Sequence, residues 1–210
     1  MGVVMALMER RLLPRVVSGT SGGSIIAGIM AVKTDKELLE DVFVPDIAVR
    51  YKERWFPPIS TQLHHFFNEG VLIDNAEFKR CARRYFGTLT FEEAFERTGR
   101  NVAISVSPSR VGGGSGTRHT KLLLNHITNP HVLVASAVQA SCALPGIMNP
   151  VELECKDADG NIVPYLMGGI EWVDGSITAD IPTKRLRELF NTNSFIVSQV
   201  NPVGLVLLIF

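Results

Sequence analysis

Two periods of apolar residues alternate along the chain. Val3, Val4, Leu7 and Met8 share one helical face and give way to Glu9, Arg10 and Arg11, so the spacing predicts a helix at the start. Residues 12–18 form a short apolar run past Pro14, residues 19–24 a glycine-rich turn, and Ile25, Ile26, Ile29 and Met30 restart the helical period. Strand, sharp turn and helix in that order make the building unit of doubly wound sheets, which predicts an α/β fold. Further along, helices are expected over the charged residues 34–41 and over 90–98, a strand over 101–106 and a helix over 132–141. Residues 151–155 and 162–165 flank Asp157, Ala158, Asp159 and Gly160 as the arms of a hairpin, a turn that Asp-Gly favours. A strand over 171–176 ends in a turn at Asp174 and Gly175, followed by a helix over 182–190 and a last strand over 195–200. No repeat or linker interrupts this order, so a single domain is expected over 1–210.

Composition changes this picture in one segment. Residues 45–95 hold 10 of the 16 aromatic side chains, so they are expected to form an aromatic-rich helical insertion, either a lid or acyl-binding element or simply core filling. Within it Lys79, Arg80, Arg83 and Arg84 share a helix side among Phe78, Tyr85 and Phe86. That stripe suits either a lipid surface or a solvated face with core aromatics behind it. Charge is balanced, with 21 Lys and Arg against 21 Asp and Glu, which argues against wholesale binding of nucleic acid through phosphate neutralisation. Cys81, Cys142 and Cys155 match neither a disulfide framework nor a metal-ligand spacing, so a reducing intracellular setting and no metal are expected. The apolar runs fall far short of the roughly 20 residues that a membrane-spanning helix needs. The order of charges around residues 1–11 is the reverse of a secretory signal's.

The candidate chemistry lies in two turns. Gly19, Thr20, Ser21, Gly22 and Gly23 fit Gly-x-Ser-x-Gly between a strand and a helix. There a serine on a strained bend is pushed out at the sheet edge, with the helix N-terminus aimed where negative charge develops in acyl transfer. The plainer reading is a glycine-rich turn that packs helix on sheet or holds a phosphate, although no lysine follows until Lys33. All five histidines precede Asp174, so a Ser, Asp, His order cannot be completed with that aspartate. A dyad in which a carboxylate takes the serine proton is the sharper alternative. Asp174, followed by Gly175 and Ser176, suits that role, or else is only an Asp-Gly turn.

Taken together, Ser18 to Ser24 and Val173-Asp174-Gly175-Ser176 resemble the patatin-like phospholipases. The likeness is strongest to the patatin domain of the eukaryotic triacylglycerol lipases of plant and fungal lipid droplets. Leu12-Leu13-Pro14-Arg15, Trp55-Phe56-Pro57, Leu89 to Ala94, Arg97-Thr98-Gly99-Arg100, Ala140 to Gly146 and Ile196 to Pro202 carry it further along the chain. The resemblance implies a three-layer α/β/α fold on a mostly parallel sheet, with Ser21 as nucleophile and Asp174 as its base. It also implies hydrolysis of acyl esters through an acyl-enzyme, with transacylation as a side activity, and no cofactor. A glycerolipid substrate and a peripheral place on a lipid droplet or membrane follow from the same likeness; the oligomeric state does not.

The chain departs from the family at two places. Ser176 stands where Gly or Ala is usual, and the sequence opens inside the first helix, so the first strand and the glycine-rich oxyanion loop before it are expected to be missing. The run from Gly112 to Gly116 reads as flexible linker and no substitute for that loop. With Gly22 offering one backbone donor, a catalytically impaired lipid-binding fragment is the competing expectation.

Overall fold

The computed structural model describes residues 2–44, 54–109, 121–167, 169–177 and 181–199. Contacts divide the chain into two compact units, one of residues 14–181 and one of residues 1–13 with 182–210. The glycine run 112–116 and the first part of the aromatic segment, 45–53, lie outside the described residues.

The larger unit contains strands β1 (Val16–Gly19), β2 (Asn101–Pro108), β3 (Leu122–Leu124), β4 (Val151–Glu152), β5 (Glu154–Lys156), β6 (Ile162–Pro164) and β7 (Glu171–Asp174). Counting α1 (Gly2–Glu9) of the smaller unit first, its helices are α2 (Gly22–Val32), α3 (Asp35–Glu37), α4 (Ile59–Glu69), α5 (Asn75–Phe86), α6 (Phe91–Thr98) and α7 (Val134–Cys142). α8 (Thr183–Phe190) belongs with α1. The α/β class stands, and the sheet is mixed: β1 runs parallel to β2, whereas β3 and β7 run antiparallel to β2 and β4 antiparallel to β7. Every residue of β2 from Val102 to Ser107 is buried, so both faces of the sheet are covered there. α2 and α7 lie side by side on it.

The β1 strand begins at Val16 rather than at residue 12, because Pro14 lacks the amide a ladder needs and Leu12 is exposed. The hairpin forms between β5 and β6, but Val151 and Glu152 leave it to pair with Trp172 and Glu171 in the main sheet. β3 carried no signal, since three leucines are too few to show a period. The last strand expected over 195–200 is not formed by residues 195–199, where Ile196 and Val197 are exposed. An apolar run becomes a strand only when an edge is there to pair with it.

In the aromatic segment Trp55 packs on Phe78, Tyr85 and Phe86 at centroid distances of 5.2, 4.8 and 5.6 Å, so these rings fill core. Two members of the basic stripe of α5, Lys79 and Arg83, each reach Glu154 at 2.8 Å. No helix among the described residues is long and apolar enough to cross a membrane.

Candidate active site

Register fixes where the two turns meet. Ile104 pairs with Gly19 and with Leu124, and Val106 pairs with Leu122 and with Asp174. A strand residue has only two edges, so β3 occupies one edge of β2 while β1 and β7 share the other. β1 is parallel to β2 and β7 antiparallel, so their C-terminal ends face each other across Ser105, two residues or about 7 Å apart in register. The structure therefore brings the turns of Ser21 and Asp174 to one spot, although 153 residues separate them in sequence.

At the first turn Ser21 has φ 54° and ψ −134°, a backbone that side-chain-bearing residues seldom adopt. Ser21 precedes α2 in the N-cap position, yet its side chain makes no capping hydrogen bond. The carbonyl does the anchoring instead, accepting from the Ser24 amide at 2.8 Å and the Ser24 hydroxyl at 2.6 Å. The partly exposed hydroxyl is thus not consumed by the helix. Gly19 is required by contact, since a Cβ there would lie 2.4 Å from the Gly23 carbonyl oxygen. Gly22 and Gly23 are exposed, and a Cβ on either would meet nothing within 4 Å. Thr20 contributes its carbonyl, which accepts from the Gly23 amide at 3.0 Å.

At the second turn Asp174 is fully buried. Its Oδ1 accepts from the Ser176 amide at 2.8 Å, and its Oδ2 has no hydrogen-bond partner among the described residues. Gly175 passes so close to β2 that a Cβ would sit 2.5 Å from the Ser105 carbonyl oxygen.

Three consecutive residues at the end of α7 tie the turns together. The Ser21 amide donates to Ser141 Oγ at 3.0 Å, and Ser141 Oγ donates to the Ser105 carbonyl at 2.9 Å. The Cys142 thiol donates to the Ser21 carbonyl at 3.4 Å, and the Asp174 amide donates to the Ala143 carbonyl at 3.1 Å. Burial pushes the Cys142 thiol up to about 12, and the nearby Asp174 charge adds to the rise, so this sulfur stays protonated. Ser105, Ser141 and Cys142 escape sequence reasoning because their partners lie 36 to 121 residues away and no spacing marks them. Among the described residues no three His, Cys, Asp or Glu side chains gather closely enough to hold a metal ion.

The sequence pattern described as Patatin-like phospholipase matches residues 1–187. A patatin-like phospholipase domain-containing protein of Pyricularia oryzae is 41% identical over 202 residues, covering 96% of this chain and 24% of its own length. Proteins described in the same way from Cryptococcus neoformans and Yarrowia lipolytica are 42% and 39% identical over 203 residues, again covering 96% of this chain. The chain spans about a quarter of the length of these relatives.

Proposed function

The chain belongs to the patatin-like phospholipase family, and we propose that it is a serine acyl-hydrolase in which Ser21 attacks the ester of a glycerolipid and Asp174 takes the serine's proton. What supports this reading is that strand register brings to one spot the turn of Ser21, whose hydroxyl makes no capping hydrogen bond, and the turn of Asp174, whose buried Oδ2 has no hydrogen-bond partner among the described residues. A buried acceptor left open in this way costs stability, and a catalytic role accounts for its being kept.

Chemically the sequence of steps is short. Ser21 Oγ adds to the ester carbonyl carbon as its proton passes to Asp174 Oδ2. The tetrahedral oxyanion is met by the Gly22 amide and the N-terminal end of α2. Collapse expels the alcohol, which takes the proton back from Asp174, and leaves the acyl group on Ser21. Water then repeats the cycle with Asp174 again as base and releases the fatty acid. Gly175 and Ser176 hold Asp174 by the close passage of β2 and the amide to Oδ1.

Triacylglycerol or a related glycerolipid is the substrate favoured by the likeness of the elbow and of residues 140–146 to lipid-droplet lipases, and zero net charge suits a neutral lipid. The number and spacing of Cys81, Cys142 and Cys155, which suit no disulfide framework, favour action inside the cell, at a droplet or membrane surface. Ester hydrolysis by the purified chain tests the reading. Ser21→Ala is expected to fall to background and Asp174→Asn to lose about a hundred- to ten-thousand-fold in kcat. Full turnover by either variant would overturn it.

A further inference from the structure

The peptide unit that joins Ser21 to Gly22 carries two polar groups that point opposite ways. In a planar trans peptide the carbonyl and the amide are antiparallel, so whatever fixes the Ser21 oxygen also aims the Gly22 N–H. That amide is the first of α2 and has no acceptor within the helix, and Gly22 is exposed. The Ser21 oxygen, in contrast, is held by three donors. It accepts from the Ser24 amide at 2.8 Å, from the Ser24 hydroxyl at 2.6 Å and from the Cys142 thiol at 3.4 Å.

That is one donor more than the two lone pairs of a carbonyl oxygen. The Ser24 amide alone satisfies it and is supplied by the backbone whatever residue stands at 24. The two side-chain donors are therefore additions of the sequence, and they meet over the same oxygen: Ser24 is fully buried, and its Oγ lies 3.6 Å from Cys142 Sγ. Ser141 acts on a different peptide, because the Ser21 amide it binds belongs to the unit before the nucleophile. We propose that Ser24 Oγ and Cys142 Sγ are positioning groups for the oxyanion donor: by holding the Ser21 carbonyl toward the protein they keep the Gly22 amide facing the place where negative charge develops. Reversal of this one peptide would present the carbonyl oxygen there and repel that charge. The proposal rests on the reading of Ser21 as nucleophile and of the Gly22 amide as a donor to the oxyanion.

Ester hydrolysis by the full chain, followed across pH, tests the clamp. Ser24→Ala is expected to lower kcat about ten- to a hundred-fold with KM nearly unchanged, short of the roughly hundred- to thousand-fold cost of losing an oxyanion donor outright. The acid limb of the kcat profile should stay at its wild-type pH, because Asp174 is untouched. Ser24→Thr, which restores a hydroxyl, should recover part of the loss. Cys142→Ser and Cys142→Ala carry the test without altering α2: the serine variant keeps a donor to the Ser21 oxygen and should have the higher kcat by about three-fold or more. Wild-type kcat in Ser24→Ala, a loss confined to KM, an acid limb that moves with the loss, or equal kcat in the two Cys142 variants overturns the proposal. The same assay on Ser21→Ala keeps the two claims apart. Turnover that persists there overturns the nucleophile and the clamp with it, whereas background turnover there beside full turnover in Ser24→Ala overturns the clamp alone.

Discussion

Ser21 holds a backbone conformation that costs a non-glycine residue about 1–3 kcal/mol, so something outside the residue must fix it. The Ser141 hydroxyl is the strongest candidate, because it accepts from the Ser21 amide and donates to the Ser105 carbonyl, linking the elbow to the strand between the two turns. Removing it leaves a part-buried amide and a buried carbonyl open, a penalty of about 1–3 kcal/mol. Ser141→Ala is therefore expected to lower kcat about ten- to a hundred-fold with KM nearly unchanged, and Ser141→Thr to recover part of the loss. A KM effect with intact kcat would assign Ser141 to substrate binding instead. Cys142, with its thiol held up near 12, should be alkylated at least about ten-fold more slowly in the folded chain than in urea. Equal rates would contradict the buried contact to Ser21.

The nucleophile's helix is held at its far end as carefully as at its near one. Its last four carbonyls are all taken: Ile29 by the Lys33 amide, Met30 by Arg100, Ala31 by the Thr98 hydroxyl and Val32 by Arg97. Arg100, nearly buried, also bonds the Lys33 carbonyl at 2.6 Å and pairs with Asp35. Arg100→Met is expected to cost about 2–3 kcal/mol in a urea titration, since charge-assisted bonds to buried carbonyls are lost. An unchanged midpoint would show that α2 does not depend on this brace. Elements defined by local period were readable in the sequence: α2 from its isoleucines, α6 as the helix expected over 90–98, which Thr90 and Glu93 close with a capping box in the structure, and the β5/β6 hairpin from Asp159 and Gly160. Elements defined by a partner were not. β3 and the departure of Val151 into the main sheet depend on which strand edge is free, and local sequence does not record that.

Across the whole molecule, acid should loosen the fold. Glu37 is held below the ordinary 4.5, chiefly by the Thr34 amide and then by its hydroxyl and Arg97; in Glu93 the Lys156 ammonium and the Thr90 amide outweigh burial to the same effect. His126, stacked on Phe95 at 4.0 Å, is lowered from 6.5 by burial. All three take up protons at higher pH in the unfolded chain, so stability is full above about pH 7 and falls as pH drops, first through His126 and then through the glutamates. A thermal midpoint that stays level from pH 7 to pH 4 would contradict this. The sequence made the two turns of the candidate site legible through Gly19, Ser21, Gly23, Asp174 and Gly175. Their convergence was not legible, because it depends on β1 and β7 sharing one edge of β2. Covalent labelling with a fluorophosphonate, read by peptide mass spectrometry, tests the dyad most directly. One label on Ser21, absent in Ser21→Ala and formed far more slowly in Asp174→Asn, is the expected result; a label on another residue, or one that forms as fast in Asp174→Asn, would contradict it.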